Sequence, residues 1–144
     1  MNIQQMSGLA ILQAMARGEL PAPSISLTMP MSLVQADEGT VTFHATADDK
    51  HLNPLGGVHG GFAATVLDSV TGCAVHTLLE AGVGYGTIDL NIKMIRPVPK
   101  HQVLVAEGKV INLSKSLGIS EGTLKRQDGK LLATATATCM ILRP

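Results

Sequence analysis

The chain has 144 residues, 45% of them hydrophobic and 15% charged, with 11 Lys plus Arg balanced by 11 Asp plus Glu. That composition excludes a disordered chain, and the balance leaves no global field to draw in nucleic acid or an anionic membrane. No Trp, one Tyr and two Phe leave no stacking platform for single-stranded nucleic acid.

The length suits one compact domain spanning 1–144, with residues 1–20 as an N-terminal helical segment. Low charge with a positive mean hydropathy predicts burial against copies of the same chain, a homo-oligomer. Cys73 and Cys139 lack metal-ligand spacing and read as buried thiols in a reducing, cytoplasmic setting. Met1 to Met15 makes a poor signal peptide, and no window reaches a membrane span.

In chain order, Met6 to Arg17 predicts a short amphipathic helix with Leu9, Leu12 and Met15 at helical spacing, ended by Gly18 and the Pro21/Pro23 pair. Ser32–Ala36 and Thr40–Ala47 read as a hairpin across Asp37-Glu38-Gly39, with Val41, Phe43 and Ala45 alternating against Thr42, His44 and Thr46. A polar segment then leads into Asn53-Pro-Leu-Gly-Gly-Val-His-Gly-Gly61 and a long apolar helix reaching Leu79. Beyond Gly82-Val-Gly-Tyr-Gly86 the period becomes two, with Ile88, Leu90, Ile92 and Met94 on one face and Thr87, Asp89, Asn91 and Lys93 on the other. Gln102–Ile111 and Leu117–Arg126 are further strands, and Gln127-Asp-Gly-Lys130 marks a tight turn into a last strand, Leu131–Leu142. That strand carries Ala133, Ala135 and Ala137 on one face, which lets a helix lie close. A helix apolar all round belongs in the middle of something, so the predicted fold class is α+β, an antiparallel sheet wrapped around one long central helix.

Asp68 is the one acidic residue between Lys50 and Glu80. A carboxylate in so apolar a stretch is expensive unless something pairs with it or uses it. The Gly60-Gly61 pair opening the same helix presents bare backbone N–H groups to an anion. A base and an anion hole so close in sequence point to acyl transfer. If both sit on one helix, eight residues separate them by about 12 Å, so a shared site would draw them from two chains across a dimer interface.

The run Asn53-x-x-Gly56-x-x-His59-Gly60-Gly61, Asp68 nine positions after the histidine, and Gly86-Thr-Ile-Asp-Leu-Asn-Ile92 together resemble the hotdog-fold acyl-CoA thioesterases. The branch the chain resembles is that of the phenylacetate-pathway thioesterase and its mammalian medium- and long-chain relatives, over about Val41 to Leu142. The resemblance implies that Gly60 supplies the oxyanion-hole amide, Asn53 orients the carbonyl and binds substrate with Gly61, Asp68 is the acidic catalytic residue, either activating water or attacking the carbonyl itself, and Thr87 helps hold the water. His59 matches the family histidine before the hole. It also implies two equivalent sites per dimer, a further pairing into a homotetramer, acyl-CoA as the substrate, and no metal, flavin or nucleotide cofactor, coenzyme A being part of the substrate.

Each residue also has a plain structural reading: Asp68 satisfied by Ser69, Thr65 or a loop, His59 capping the helix, Asn53 as a turn residue before Pro54, Thr87 as an ordinary strand threonine. Gly118-Ile-Ser-Glu-Gly122 matches a nucleophile-elbow pattern, but alternation runs straight through it and no histidine follows Ser120. His44, His51, His59, His76 and His101 show no metal-binding spacing. Lys93, Arg96, Lys115, Lys125 and Arg126 are the cations available for coenzyme phosphates. Two rival functions share the fold: a non-catalytic acyl-CoA-binding module, and a hydroxyacyl-thioester dehydratase, which would need a histidine and an acid in one site.

Overall fold

A six-stranded antiparallel sheet curls around one long helix in the computed structural model, which describes residues 1–144. After a 3-10 turn at Ile3–Gln5 come helix α1 (Gly8–Ala16), a single turn α2 (Ile25–Thr28), strands β1 (Met31–Asp37) and β2 (Thr40–Ala45), and helix α3 (Gly60–His76). Four strands follow, β3 (Gly84–Met94), β4 (Leu104–Leu113), β5 (Leu117–Arg126) and β6 (Leu131–Leu142), and the sheet order is β1-β2-β4-β5-β6-β3. This is the sheet wrapped around a helix that the alternation and the apolar helix imply, and the hotdog architecture that the resemblance implies. No helix is long and apolar enough to cross a membrane.

α3 forms because Phe62, Ala63, Val66, Leu67, Val70, Ala74 and Val75 fall on the side that the sheet encloses, and all are buried. It is not enclosed all round, as the sequence suggested. Gly61, Ala64, Thr65, Asp68, Ser69, Cys73 and His76 are only half-buried and make an open stripe along the helix. The alanine row faces inward as expected, with Ala133, Ala135 and Ala137 all buried. The tightest approach, however, is to β4. A Cβ on Gly108 would collide with the carbonyl of Val70, in the third turn of α3. Glycine is required there so that helix backbone and strand backbone can touch. Ser120 of β5, buried in the same layer, donates its hydroxyl to the Thr71 carbonyl at 3.0 Å, which gives this decoy serine a structural duty.

The phase of β3 departs from the strict alternation read from sequence. Its pairing with β6 shifts register between Thr87 and Asp89, a β-bulge at Ile88. Leu90, Ile92 and Met94 pair with Ala137, Ala135 and Ala133 on the helix-facing side, but Ile88 is thrown outward and is 57% exposed. Thr87 pairs with buried Cys139 and so turns toward α3, contrary to a strand without the extra residue. β4 also runs further than expected, to Leu113, with its own register shift between Val110 and Asn112.

Gly108→Ala is expected to lower stability by about 1–3 kcal/mol through overpacking against an immovable carbonyl, measured as a drop in the urea midpoint with an unchanged m-value.

Candidate active site

The approach to α3 is braced by residues that carry no motif. His51 is buried, its Nδ1 accepts from the Asp48 N–H at 3.0 Å, and its Nε2 lies 2.6 Å from the Thr28 carbonyl. With Nδ1 accepting, the ring proton is on Nε2 and is donated to that carbonyl. The His51 carbonyl in turn accepts the His59 N–H at 2.7 Å, and Leu52 bridges to Val58. Residues 53–57 are thereby pinched into a closed loop. Within it the Asn53 Oδ1 accepts from the Leu55 and Gly57 N–H groups at 3.0 and 3.2 Å. The turn reading of Asn53 therefore holds for its oxygen, while its Nδ2 donates to nothing within the chain and is available to a ligand.

His59 is the N-cap of α3, and its Nδ1 accepts from the Gly61 N–H at 2.8 Å. The cap therefore occupies one of the two glycine amides in the pair. Gly60, the first residue of the helix, is exposed and its N–H has no acceptor within the chain. A lone, outward amide at a helix N-terminus with no acidic residue in the first turn is a ready site for a developing negative charge. Met94 at the end of β3 reaches this position, 3.3 Å from where a Gly60 Cβ would sit. It also lines a cavity of about 240 Å³ with Val58, Ile95, Arg96, Pro97 and Val98.

Asp68 lies two turns further along, on the open stripe. Its Oδ1 accepts the Thr87 hydroxyl proton at 2.9 Å, and its second oxygen has no partner within the chain. Neither Thr65 nor Ser69 satisfies it; Thr65 instead donates to the Gly61 carbonyl at 2.9 Å. The bulge at Ile88 is what brings Thr87 to this position. Behind the pair lie Cys73, Tyr85 and Cys139, with His76 further along α3 beside Tyr85. The Tyr85 ring packs against Gly72 and 5.1 Å from the His76 ring. Burial pushes the Cys73 thiol up to about 11, raises the Tyr85 and Cys139 groups, and lowers His76. Around Asp68 the wall is thus neutral at physiological pH: two thiols and a phenol.

The residues singled out in the sequence fall into two places on one chain. Asn53, His59, Gly60 and Gly61 gather at the start of α3, while Asp68 and Thr87 gather eight residues on. The basic candidates scatter. Arg96 lines the cavity beside Met94 and donates to the Leu131 carbonyl at 2.6 Å. Lys93 and Lys125 belong to a trough of about 720 Å³ on the outer face of the sheet, with Glu107, Lys109 and Glu121. Arg126 pairs with Asp128, and Lys115 lies in the turn after β4. That trough is separated from Asp68 and Gly60 by the sheet. No group of three His, Cys, Asp or Glu side chains is placed to hold a metal ion. No motif marks His51 or Cys139 as neighbours of the site. The one available signal was parity: Tyr85 and Thr87 are odd-numbered, Leu90 and Ile92 even, so both sets can face inward only if the strand slips phase between them.

Comparison with known proteins matches residues 55–133 to the thioesterase superfamily. A crystal structure of a phenylacetic acid degradation-related protein from Ralstonia eutropha JMP134 is 36% identical, covers 90% of this chain and 98% of its own, and superposes with a TM-score of 0.80. Acyl-coenzyme A thioesterase 13 of Homo sapiens is 28% identical over 109 residues, 75% of this chain and 77% of that protein. A thioesterase-fold protein from Streptococcus pneumoniae TIGR4, solved with coenzyme A, has the same fold at 22% identity and a TM-score of 0.71, covering 79% of this chain and 91% of its own. With a matching sequence over more than half its length and a matching fold over nearly all of it, the chain belongs to the thioesterase superfamily.

Proposed function

We propose that this thioester hydrolase acts on acyl-coenzyme A, releasing a carboxylic acid and free coenzyme A, in a site completed by two protomers. The observation that carries the reading is the pairing of an unoccupied helix-start amide, Gly60, with a carboxylate, Asp68, whose one oxygen is fixed by Thr87 and whose other is free. The thioester carbonyl sits on the Gly60 N–H, oriented by the Asn53 amide, and water attacks it. Asp68 takes the proton of that water through its free oxygen, while Thr87 holds the carboxylate in one orientation. As the carbonyl becomes tetrahedral, the negative charge on its oxygen meets an amide already aimed and needing no reorganisation. The leaving thiol has a pKa of roughly 8.5 and departs as thiolate without a strong acid. His59 acts by holding the cap, with Gly61 as its donor, rather than by proton transfer. That commitment also argues against dehydration, which needs a free histidine beside the acid.

Helix geometry separates Gly60 from Asp68 by about 12 Å on one chain, so each reaction uses Gly60 of one protomer and Asp68 of its mate. Two features support this dimer. β3 is an edge strand of 11 residues, long enough to pair with its symmetry mate. Antiparallel pairing of β3 with a second β3 would lay the open stripes of two α3 helices side by side in opposite directions. The start of one helix would then meet the middle of the other. The mixed charges of the outer trough, Lys109 and Lys125 with Glu107 and Glu121, suit a self-complementary contact that pairs dimers into a tetramer. Two free cysteines fit a reducing, cytoplasmic setting. The human relative named for acyl-coenzyme A and the coenzyme A-bound streptococcal structure favour this substrate class.

Asp68→Asn should keep the fold and lower kcat on acyl-CoA substrates by about 100-fold or more, read as thiol release; an unimpaired variant would remove Asp68 from the mechanism. Gly60→Pro deletes the amide donor with little cost to the helix. Proline is tolerated at the first helical position, and His59 already has the extended conformation (φ −63°, ψ 137°) that a following proline requires. It should lower kcat by about 10²–10³-fold. Mixing the two inactive variants should recover about a quarter of wild-type turnover, since half the dimers are mixed and each holds one intact site. No recovery despite demonstrated subunit exchange would contradict the shared site.

A further inference from the structure

Thr87 touches two groups, not one. Its Oγ1 lies 2.9 Å from the Asp68 Oδ1 and 3.8 Å from the Cys139 Sγ, within hydrogen-bond range for sulfur. A hydroxyl has a single proton, and an ionised carboxylate can only accept. The Thr87 proton is therefore committed to Asp68, and the contact with sulfur must run the other way, S–H to oxygen. Cys139 is fully buried and pairs directly with Thr87 across β3 and β6. The backbone register, not side-chain flexibility, sets that contact. Burial holds the thiol protonated, as a donor must be.

We propose that Cys139 is a positioning residue of the active site, the first member of a relay in which its S–H donates to the Thr87 hydroxyl and that hydroxyl donates to Asp68. The relay fixes which way the Thr87 proton points and keeps one carboxylate oxygen occupied, so that the other is the one presented to water. Hydrogen bonds in series polarise one another, so the weak thiol donor strengthens the hydroxyl's bond to the carboxylate. Cys139 touches no substrate in this scheme and acts through Thr87. Cys73, the other thiol of the wall, is not part of the relay; its neighbour is Tyr85. The catalytic consequence rests on the hydrolase reading above, whereas the relay itself is a property of the folded chain.

Two measurements test it. Cys73→Ala leaves Cys139 as the only thiol, so the S–H stretching band in the Raman or infrared spectrum belongs to Cys139 alone. In that background the band is expected to move to higher frequency when Thr87→Val removes the acceptor without changing side-chain shape. A band that stays in place overturns the relay, whether or not any thioester is hydrolysed. In kinetics, Cys139→Ala is expected to lower kcat by about three- to tenfold at unchanged KM, the scale of one lost hydrogen bond. Cys139→Ser, which restores a donor, should recover most of that loss. In a Thr87→Val background, Cys139→Ala should cost nothing further, because the relay is already broken. Equal losses for the Ala and Ser variants, or losses that simply multiply in the double variant, overturn the positioning role. If the wild type released no thiol from any acyl-CoA while the band still shifted, the hydrolase reading would fall and the relay would stand.

Discussion

One rigid helix carries both an unpaired backbone amide and a carboxylate, two turns apart, and that spacing governs what a single chain can do. A helix pressed against a sheet through a glycine cannot bend to bring the two together. Gly108 lets the backbones of β4 and α3 meet at Val70, and Ser120 ties β5 to the next carbonyl. Near its C-terminal end, Thr77 accepts from the Gly39 N–H at 2.8 Å and donates to the Ala74 carbonyl at 2.6 Å, fastening helix to hairpin. No buried side-chain nitrogen or oxygen lacks a partner, so the helix is held without the cost of an unsatisfied polar group. The same rigidity that gives each group its fixed aim is why the proposed reaction draws its two groups from two chains.

The two ends of the site are built on different physical principles. At the helix start, affinity for negative charge comes from the backbone, and the side chains around it serve to clear and shape the approach. Asn53 closes the loop with its oxygen, His59 takes the second amide, and His51 anchors both from below. At Asp68 the charge comes from a side chain, and the surroundings are deliberately uncharged. Two neutral thiols and a phenol line that wall, so no fixed cation competes for the carboxylate. The two turns of helix between Gly60 and Asp68 keep the amide and the carboxylate of one chain from pairing with each other.

Much of this could be read before any coordinates. The hairpin at Asp37 to Thr40, the turn at Gln127 to Lys130 and the long apolar helix all carry local signals, because glycine, alternation and helical period act over a few residues. Asp68 and Gly60 stood out for the same reason, a charge and a glycine pair out of keeping with their neighbours. Thr87 was placed on the wrong side of β3 because a bulge has no sequence signature of its own. One unpaired residue, Ile88, inverts the facing of everything before it, and only the pairing with β6 reveals the slip. His51 and Cys139 were invisible for a related reason. Their partners, Thr28 and Thr87, lie 23 and 52 positions away, and such contacts are fixed by topology rather than by pattern. The helix that looked apolar on every side proved to have an open stripe, since glycine, threonine and alanine fit a packed surface and an exposed one equally well.

The bulge at Ile88 has a further effect on how this strand can change over time. It divides β3 into two stretches whose inward and outward positions are set independently. Residues after it, facing the alanines of β6, can be altered to reshape the apolar lining near Met94 without rotating Thr87. Residues before it can drift around Tyr85 without disturbing that lining. Ile88 itself, pointing outward at the sheet edge, is bound to neither set. A single extra residue thereby acts as a joint that lets the lining near Met94 diversify while the Thr87–Asp68 contact keeps its alignment.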